Sequence, residues 1–316
     1  MCTAICLKEY VGRNLDIERS YGESVIITPR KYALPLRKAD SIDDHFAFIG
    51  IGTVSRGYPL YYDAANEHGL YMAGLNYVGN AKYHAPKDGQ VNLAPYELIP
   101  YILSTCKDVD EAERRLKQIN LVDIPFSREL PSAELHFIVA DKQRALTVEP
   151  DAGGLSIYEN KVGVLSNNPS FPYQMHNLNN YASLTNEPVD NRLPDHVSFN
   201  EYSRGMGALG LPGDLSSESR FVRAAFHRLN YVRGGHITDI FHLLSTVAMP
   251  RGSLKLGDEY EITAYSSAVN LTNLTYYYKT YGSVSLSSAG LFNENLSSPS
   301  LVSYHLFTEK DVLSHN

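Results

Sequence analysis

The chain has 316 residues, 43% of them hydrophobic and 20% charged, with a formal net charge of −7. That length allows a large buried core, and the acidic balance argues against a nucleic-acid partner or an anionic membrane surface. No apolar stretch approaches the roughly 20 residues that span a bilayer. The first residues lack the basic and apolar regions of a secretory signal, so a cytoplasmic protein is expected.

The chain opens on Met1-Cys2-Thr3-Ala4-Ile5-Cys6-Leu7, an apolar strand pattern, and reverses at Lys8-Glu9 into Val11-Gly12-Arg13-Asn14-Leu15-Asp16. Further strands are predicted at 25–28, 46–54 and 70–77, divided by turns rich in Gly, Pro and Asn. Two helices follow. One covers 95–105 with proline in its first turn, and one starts at Asp108, where Asp108-Val109-Asp110-Glu111 resembles a capping box. A second block of strands covers 135–140, 145–149, 155–158 and 162–166. Residues 182–214, rich in Pro and Asn, make a loop long enough to suggest a task of its own. The clearest helix is 219–232, with Phe221, Val222, Ala225, Phe226 and Leu229 on one face. Another helix covers 237–249, and strands close the chain from Tyr260. Strands, helices, strands, helices, strands in that order suggest two sheets with helices packed outside them.

If Met1 is trimmed, Cys2 carries a thiol and a free α-amine on one residue. An α-amine ordinarily titrates at about pH 7.7–8.0, close enough to neutrality to serve the thiol as a base. The other cysteines, Cys6 and Cys106, form no disulfide framework with it. Cys2 and Cys6 lie about 13 Å apart on one strand, beyond disulfide reach. If the Lys8-Glu9 reversal leaves an even-numbered loop, Cys2 faces Leu15 and Ala4 faces Arg13. Cys2 and Arg13 are then diagonal neighbours on one face, where a guanidinium favours the thiolate. Asp16 falls opposite the start of the chain, placed to accept from the α-amine. An odd-numbered loop breaks this geometry.

Asn76 and Asn167 sit where sheet propensity disfavours them, and such amides can donate to an oxyanion. Asn167, beside Pro169, also suits a turn. Arg220 lies in the first turn of the clearest helix, the wrong end of the dipole for a cation, which points to an anionic partner or a solvated stripe with Arg223 and His227. Gly205-x-Gly207-x-x-Gly210 lacks the strand before and helix after that a dinucleotide site needs. The scattered histidines show no metal-ligand spacing, and none is singled out as a base for Cys2.

Met1-Cys2-Thr3, Gly12-Arg13-Asn14-Leu15-Asp16, Ile27-Thr28-Pro29-Arg30, Asn66-Glu67 with Gly69-Leu70, and Ala73-Gly74-Leu75-Asn76 resemble the choloylglycine hydrolase family. So do the stretch from Val164 to Pro169 and Gly210-Leu211-Pro212-Gly213-Asp214 with Ser219-Arg220-Phe221. This family contains the bile salt hydrolases and penicillin V acylases, and the matches run through most of the chain in order. The resemblance implies an α+β fold, a four-layer αββα sandwich of two antiparallel sheets with helices outside. It implies one N-terminal-nucleophile hydrolase domain over 1–316, with residues 182–214 as an assembly loop of a homotetramer.

The activity implied is hydrolysis of glycine- or taurine-conjugated bile acids through an acyl-thioester, without cofactor or metal. The resemblance assigns Cys2 as nucleophile, supported by Arg13 and Asp16, with Asn76 and Asn167 at or around the oxyanion site and Arg220 completing the set. Leu15 lines the apolar acyl pocket, beside Cys2, Arg13 and Asn76. Asn at position 76 resembles the bile salt hydrolase branch, whereas penicillin V acylases more often have Tyr. The segment between Cys2 and Gly12 is a few residues shorter than is usual in the family. The alternatives are a penicillin V acylase or other linear-amide acylase, and a non-catalytic steroid- or acyl-binding sandwich.

Overall fold

The computed structural model describes residues 1–190, 201–232 and 234–308. In chain order the strands begin with β1 (Cys2–Cys6), β2 (Tyr10–Ile17), β3 (Ser24–Thr28), β4 (Phe48–Ser55), β5 (Tyr58–Asn66) and β6 (Tyr71–Asn76). They continue with β7 (Val91–Leu93), β8 (Ile119–Leu121), β9 (Leu135–Ala140), β10 (Ala145–Asp151), β11 (Gly154–Glu159) and β12 (Val164–Leu165). The last are β13 (Lys255–Leu256), β14 (Glu259–Tyr260), β15 (Ile262–Asn270), β16 (Thr275–Thr280), β17 (Ser287–Gly290) and β18 (Val302–His305). The α-helices are α1 (Leu98–Thr105), α2 (Val109–Leu116), α3 (Phe171–Leu178), α4 (Ser217–Leu229) and α5 (Ile237–Ser245).

Two antiparallel sheets dominate. One has six strands in the order β12-β1-β2-β15-β16-β17, and the other eight in the order β11-β10-β9-β6-β5-β4-β3-β18. Helix α1 packs on β5 and β6, while α4 and α5 pack on β1, β2, β12 and β15. Strands β1 and β6 touch across the gap between the sheets. The layers are therefore helix, sheet, sheet, helix, an α+β sandwich. One apolar core fills the inter-sheet space and the α4–α5 side, and a second lies between the eight-stranded sheet and α1–α2.

The opening hairpin fixes the rest. Leu7 N–H donates to Tyr10 O at 2.8 Å, closing a two-residue reversal at Lys8-Glu9. The loop is even-numbered, so Cys2 pairs with Leu15 and Ala4 with Arg13. Gly12 allows β15 to approach β2, since a Cβ there would sit 2.2 Å from Ser267 O. Gly69 turns β5 into β6 at φ +86°, a left-handed conformation that glycine adopts without strain.

Asp108 caps α2 by accepting from Glu111 N–H at 2.8 Å, but the Glu111 carboxylate accepts from Lys107 N–H rather than from Asp108, so the reciprocal box is shifted by one residue. Helix α4 starts two residues before the predicted position, at a Ser216 cap, and ends at Leu229. Its deepest face is Phe221, Val222, Ala224 and Ala225, while Leu229 is exposed. Strand β5 and helix α3 carry no prediction from sequence. Pro59 in β5 reads as a strand breaker, yet it lies at the hairpin end opposite Val54, next to a tight turn in which Arg56 and Gly57 both have positive φ. Part of the predicted assembly loop, residues 191–200, lies outside the described residues.

Candidate active site

Cys2 begins β1 and is 3% exposed. Because Cys2 and Arg13 are diagonal across the β1–β2 ladder, the guanidinium reaches the sulfur, and Arg13 Nη2 donates to Cys2 Sγ at 2.5 Å. The other end of the guanidinium is tied to the facing sheet, with Nη1 donating to Gly74 O at 2.8 Å and to Tyr62 O at 3.0 Å. Burial alone would lower the Arg13 pKa, but the Cys2 sulfur, Tyr265, Asp63 and Tyr71 outweigh it and push it up. Arg13 is thus a permanent, fully buried cation held against a thiol.

Arg220 is the second fully buried arginine. It comes off the first turn of α4, and the anomaly of a cation there has a local cause. Its Nη1 donates to Cys2 O at 2.6 Å and to Thr3 Oγ1 at 2.5 Å, and its Nη2 donates to Asn167 Oδ1 at 2.8 Å. Its Nε donates to Leu215 O at 3.1 Å. Burial lowers its pKa, against the raising effect of Asp16, Cys2 and Glu261.

Asn167 follows the end of β12 and joins three elements. Its Oδ1 accepts from Cys2 N–H at 2.8 Å, and its Nδ2 donates to Asn76 O at 2.7 Å. Its own N–H donates to Ser217 Oγ at 2.8 Å. All the polar atoms of its amide are therefore engaged. Asn76 closes β6 and contributes its carbonyl to this set, while its side chain is exposed and makes no hydrogen bond among the described residues.

Asp16 is fully buried on β2. Its backbone N–H donates to Met1 O at 2.8 Å, its backbone O accepts from the Met1 amine at 2.5 Å, and its Oδ1 accepts from Thr263 Oγ1 at 2.6 Å. Its Oδ2 has no partner among the described residues. Burial pushes the carboxyl pKa up, opposed by Arg220, the chain's α-amine and the Thr263 hydroxyl. Leu15, opposite Cys2, is buried in the inter-sheet core.

Five of the six polar residues singled out from sequence are joined by hydrogen bonds through Cys2, Asn167 and Arg220, Asn76 by its carbonyl, while Asp16 is held by Met1 and Thr263. Sequence reasoning missed Glu261, whose carboxylate pairs with the Met1 amine, and Ser217, which holds Asn167. It also missed Asp63, which acts on Arg13 by charge. A charged residue inside the apolar run Tyr61-Tyr62-Asp63-Ala64-Ala65 was the available signal for the last.

The arrangement supplies a thiol beside a fixed cation, with its own main-chain nitrogen held by an amide oxygen, which suits nucleophilic attack on an acyl carbon. The other two thiols differ in surroundings. Burial pushes the Cys6 pKa up to about 12, and burial raises Cys106 as well. Among the described residues, no group of three or more His, Cys, Asp and Glu side chains is placed to hold a metal ion. None of their helices is long and apolar enough to cross a membrane.

The model of the choloylglycine hydrolase family of linear amide C–N hydrolases matches residues 2–304. The chain is 47% identical over 324 residues to a bile salt hydrolase/transferase of Lactiplantibacillus plantarum, with 100% of both chains covered. It is 37% identical to a conjugated bile acid hydrolase of Lactobacillus gasseri, over 96% of this chain and 100% of that one. A variant conjugated bile acid hydrolase from Clostridium perfringens superposes with a TM-score of 0.94 at 31% identity, covering 100% of both chains. Penicillin V acylase from Agrobacterium tumefaciens, at 18% identity and a TM-score of 0.76, covers 96% of this chain and 90% of its own, and shares the fold. A sandwich with a cysteine at the head of its first strand, and a family match over nearly the whole chain, place this protein in the choloylglycine hydrolase family of linear amide C–N hydrolases.

Proposed function

We propose that this chain, trimmed to Cys2, hydrolyses the amide bond of glycine- or taurine-conjugated bile acids. The carrying observation is the Arg13 Nη2–Cys2 Sγ contact of 2.5 Å, with Cys2 N held by Asn167 Oδ1 at 2.8 Å. Relatives named as bile salt and conjugated bile acid hydrolases supply the substrate class.

The new α-amine of Cys2 takes the thiol proton, and the thiolate attacks the amide carbon. The tetrahedral oxyanion collapses, the C–N bond breaks, and glycine or taurine leaves with the proton as the free amine. Water then attacks the acyl-thioester, giving a proton to the α-amine, and the C–S bond breaks to release the free bile acid and a thiolate that takes the proton back. Arg13 stabilises the thiolate by charge. Asp16, whose buried Oδ2 has no partner among the described residues, accepts from the new amine. Asn76 is the oxyanion donor because its side-chain amide is uncommitted, whereas Asn167, fully engaged, orients Cys2 and Asn76. Arg220 holds Cys2 O and Asn167. Leu15 belongs to the apolar wall for the steroid. Since the Lactiplantibacillus relative is named hydrolase/transferase, the same thioester can pass its acyl group to an amine in place of water.

The protein functions as a single cytoplasmic domain assembled as a homotetramer. Exposed Tyr202, Leu209, Leu229 and Val232, and an apolar cavity of about 400 Å³ between α3 and α4, support association near the 182–214 segment. Parallel incubation with glycocholate, taurocholate and penicillin V, scored by amine release, tests the substrate reading. Release from penicillin V alone would overturn it, and release from none would favour a binding sandwich.

A further inference from the structure

Next to Tyr62, whose carbonyl accepts from Arg13, lies a carboxylate that the mechanism above does not use. Asp63 on β5 is fully buried. Tyr265 O–H donates to its Oδ1 at 3.1 Å, and Tyr276 O–H (2.5 Å), Tyr71 O–H (3.3 Å) and Ser267 O–H (3.4 Å) donate to its Oδ2. A phenol has a single proton to give, and three are directed at this carboxyl, so both its oxygens can accept and the cage suits the ionised form. Asp63 and Arg13 influence each other by charge, yet no ion pair joins them among the described residues. The hydroxyls occupy the carboxylate, and the guanidinium spends its Nη donors on Gly74 O, Tyr62 O and Cys2 Sγ. One buried cation therefore feels two potential anions by charge, and of the two it hydrogen-bonds only the sulfur.

We propose that Asp63 is a positioning residue for the nucleophile, a caged counter-charge that shares the field of Arg13 with the Cys2 sulfur and so limits how readily the thiolate forms. The cage of Tyr71, Tyr265 and Tyr276 keeps Asp63 charged without letting it draw the guanidinium away from Sγ. Burial raises the Asp63 pKa above the ordinary carboxylate value despite Arg13 and the three phenols, so each lost phenol weakens the anion further. The titratable groups facing this cluster are Cys2 and Cys6 from β1, Arg13 from β2, Tyr62 from β5, Tyr71 from β6, Tyr265 from β15 and Tyr276 from β16. Asp16, Glu261 and Arg220 are not among the groups that act on Asp63. In surroundings of effective dielectric constant about 20, a unit charge about 12 Å from a thiol shifts its protonation balance by about tenfold.

The proposal rests on the functional reading only in taking Cys2 as the nucleophile. Its test is the pH profile of Cys2 alkylation by iodoacetamide in the trimmed protein, from about pH 5 to about pH 9. The modified residue is located by tandem mass spectrometry, because Cys6 shares the same peptide. Asp63→Asn should move the profile acidward by about one pH unit, read as roughly tenfold faster alkylation below the midpoint. Tyr276→Phe and Tyr265→Phe should move it the same way by about two- to threefold, because a carboxyl with fewer donors holds less charge. Turnover need not rise in proportion, since a more acidic thiolate is a weaker nucleophile.

A purely structural role would change amplitudes without moving the midpoint. An unmoved midpoint in the variants, or an alkaline shift in any of them, overturns the proposal. If Asp63→Asn does not fold, the two phenylalanine variants decide by the same criterion. Alkylation needs no acyl substrate, so failure of the bile-acid reading and failure of this inference are separately visible.

Discussion

Replacing Arg220 by methionine keeps most of the side-chain volume and removes the cation. Cys2 O, Thr3 Oγ1, Asn167 Oδ1 and Leu215 O each lose a donor at 3.1 Å or less. Asn167 Oδ1 keeps Cys2 N–H, so the worst-placed acceptors are the other three. A buried polar atom left without a partner costs about 1–3 kcal/mol. Relief from burying a guanidinium offsets part of that sum, and a net loss of about 3 kcal/mol follows. At about 2 °C per kcal/mol for a protein of this size, Tm should fall by about 6 °C.

Function should suffer differently. Arg13 still holds the sulfur, so iodoacetamide should alkylate Cys2 within about threefold of the wild-type rate. The main chain of Cys2 and the amide of Asn167 lose their common anchor, and misplacement by about 1 Å costs on the order of 10²-fold in turnover. Thermal melts, Cys2 alkylation and steady-state amine release on the same preparation separate these effects. Near-wild-type turnover alongside the lowered Tm would refute the view that Arg220 aligns the nucleophile. An unchanged Tm would refute the argument from orphaned acceptors.

Intact mass of the active enzyme should correspond to a chain starting at Cys2, and full activity with Met1 retained would rule out the α-amine as base. Asn76→Ala should cost about 10²–10³ in turnover of conjugated bile acids, as for one lost oxyanion donor, while Asn76→Tyr should lower bile-salt hydrolysis relative to penicillin V. Wild-type turnover of glycocholate by the alanine variant would remove Asn76 from the site. Asp214 is held down to about 2 by hydrogen bonds from the Ser216 and Ser219 side chains and the Ser216 N–H ahead of α4. A depressed carboxylate stabilises the fold above its unfolded pKa, about 3.9, and that contribution disappears as pH falls towards 2. Urea midpoints from pH 6 downward should therefore drop more steeply in wild type than in Asp214→Asn, and parallel curves would contradict this.

The opening hairpin was legible because a two-residue reversal and strict alternation leave one register, and that register alone puts Arg13 diagonal to Cys2. Arg220 was legible as an electrostatic misfit at a helix start, and its donor contacts to four oxygens account for the misfit. Asn76 was legible as a poor strand residue, but not the split by which its carbonyl serves Asn167 while its side chain stays free. Asp63 was missed although a charge inside an apolar run marked it, because Pro59 reads as a strand breaker and no strand was assigned to β5. Glu261 could not be found. Its meeting with the chain start depends on β15 pairing with β2, a contact between distant segments that no local pattern encodes.

The two buried arginines divide one task. Arg13 is anchored across the sheets by carbonyls of β5 and β6, and its remaining donor meets the sulfur. Arg220 is anchored by α4, and its donors meet the main chain of the same residue. The sulfur of Cys2 is thus set by the opposing sheet, and its backbone by the outer helix layer. A change that slides the sheets would move the first without the second, and a change at the N-terminus of α4 would do the reverse. Asn167 is the piece common to both, since it bonds Cys2 N–H, Arg220 and the carbonyl of Asn76 on β6. The geometry around Cys2 therefore depends on the relative placement of three layers, which together fix the thiol, amide and carbonyl of this first residue of β1.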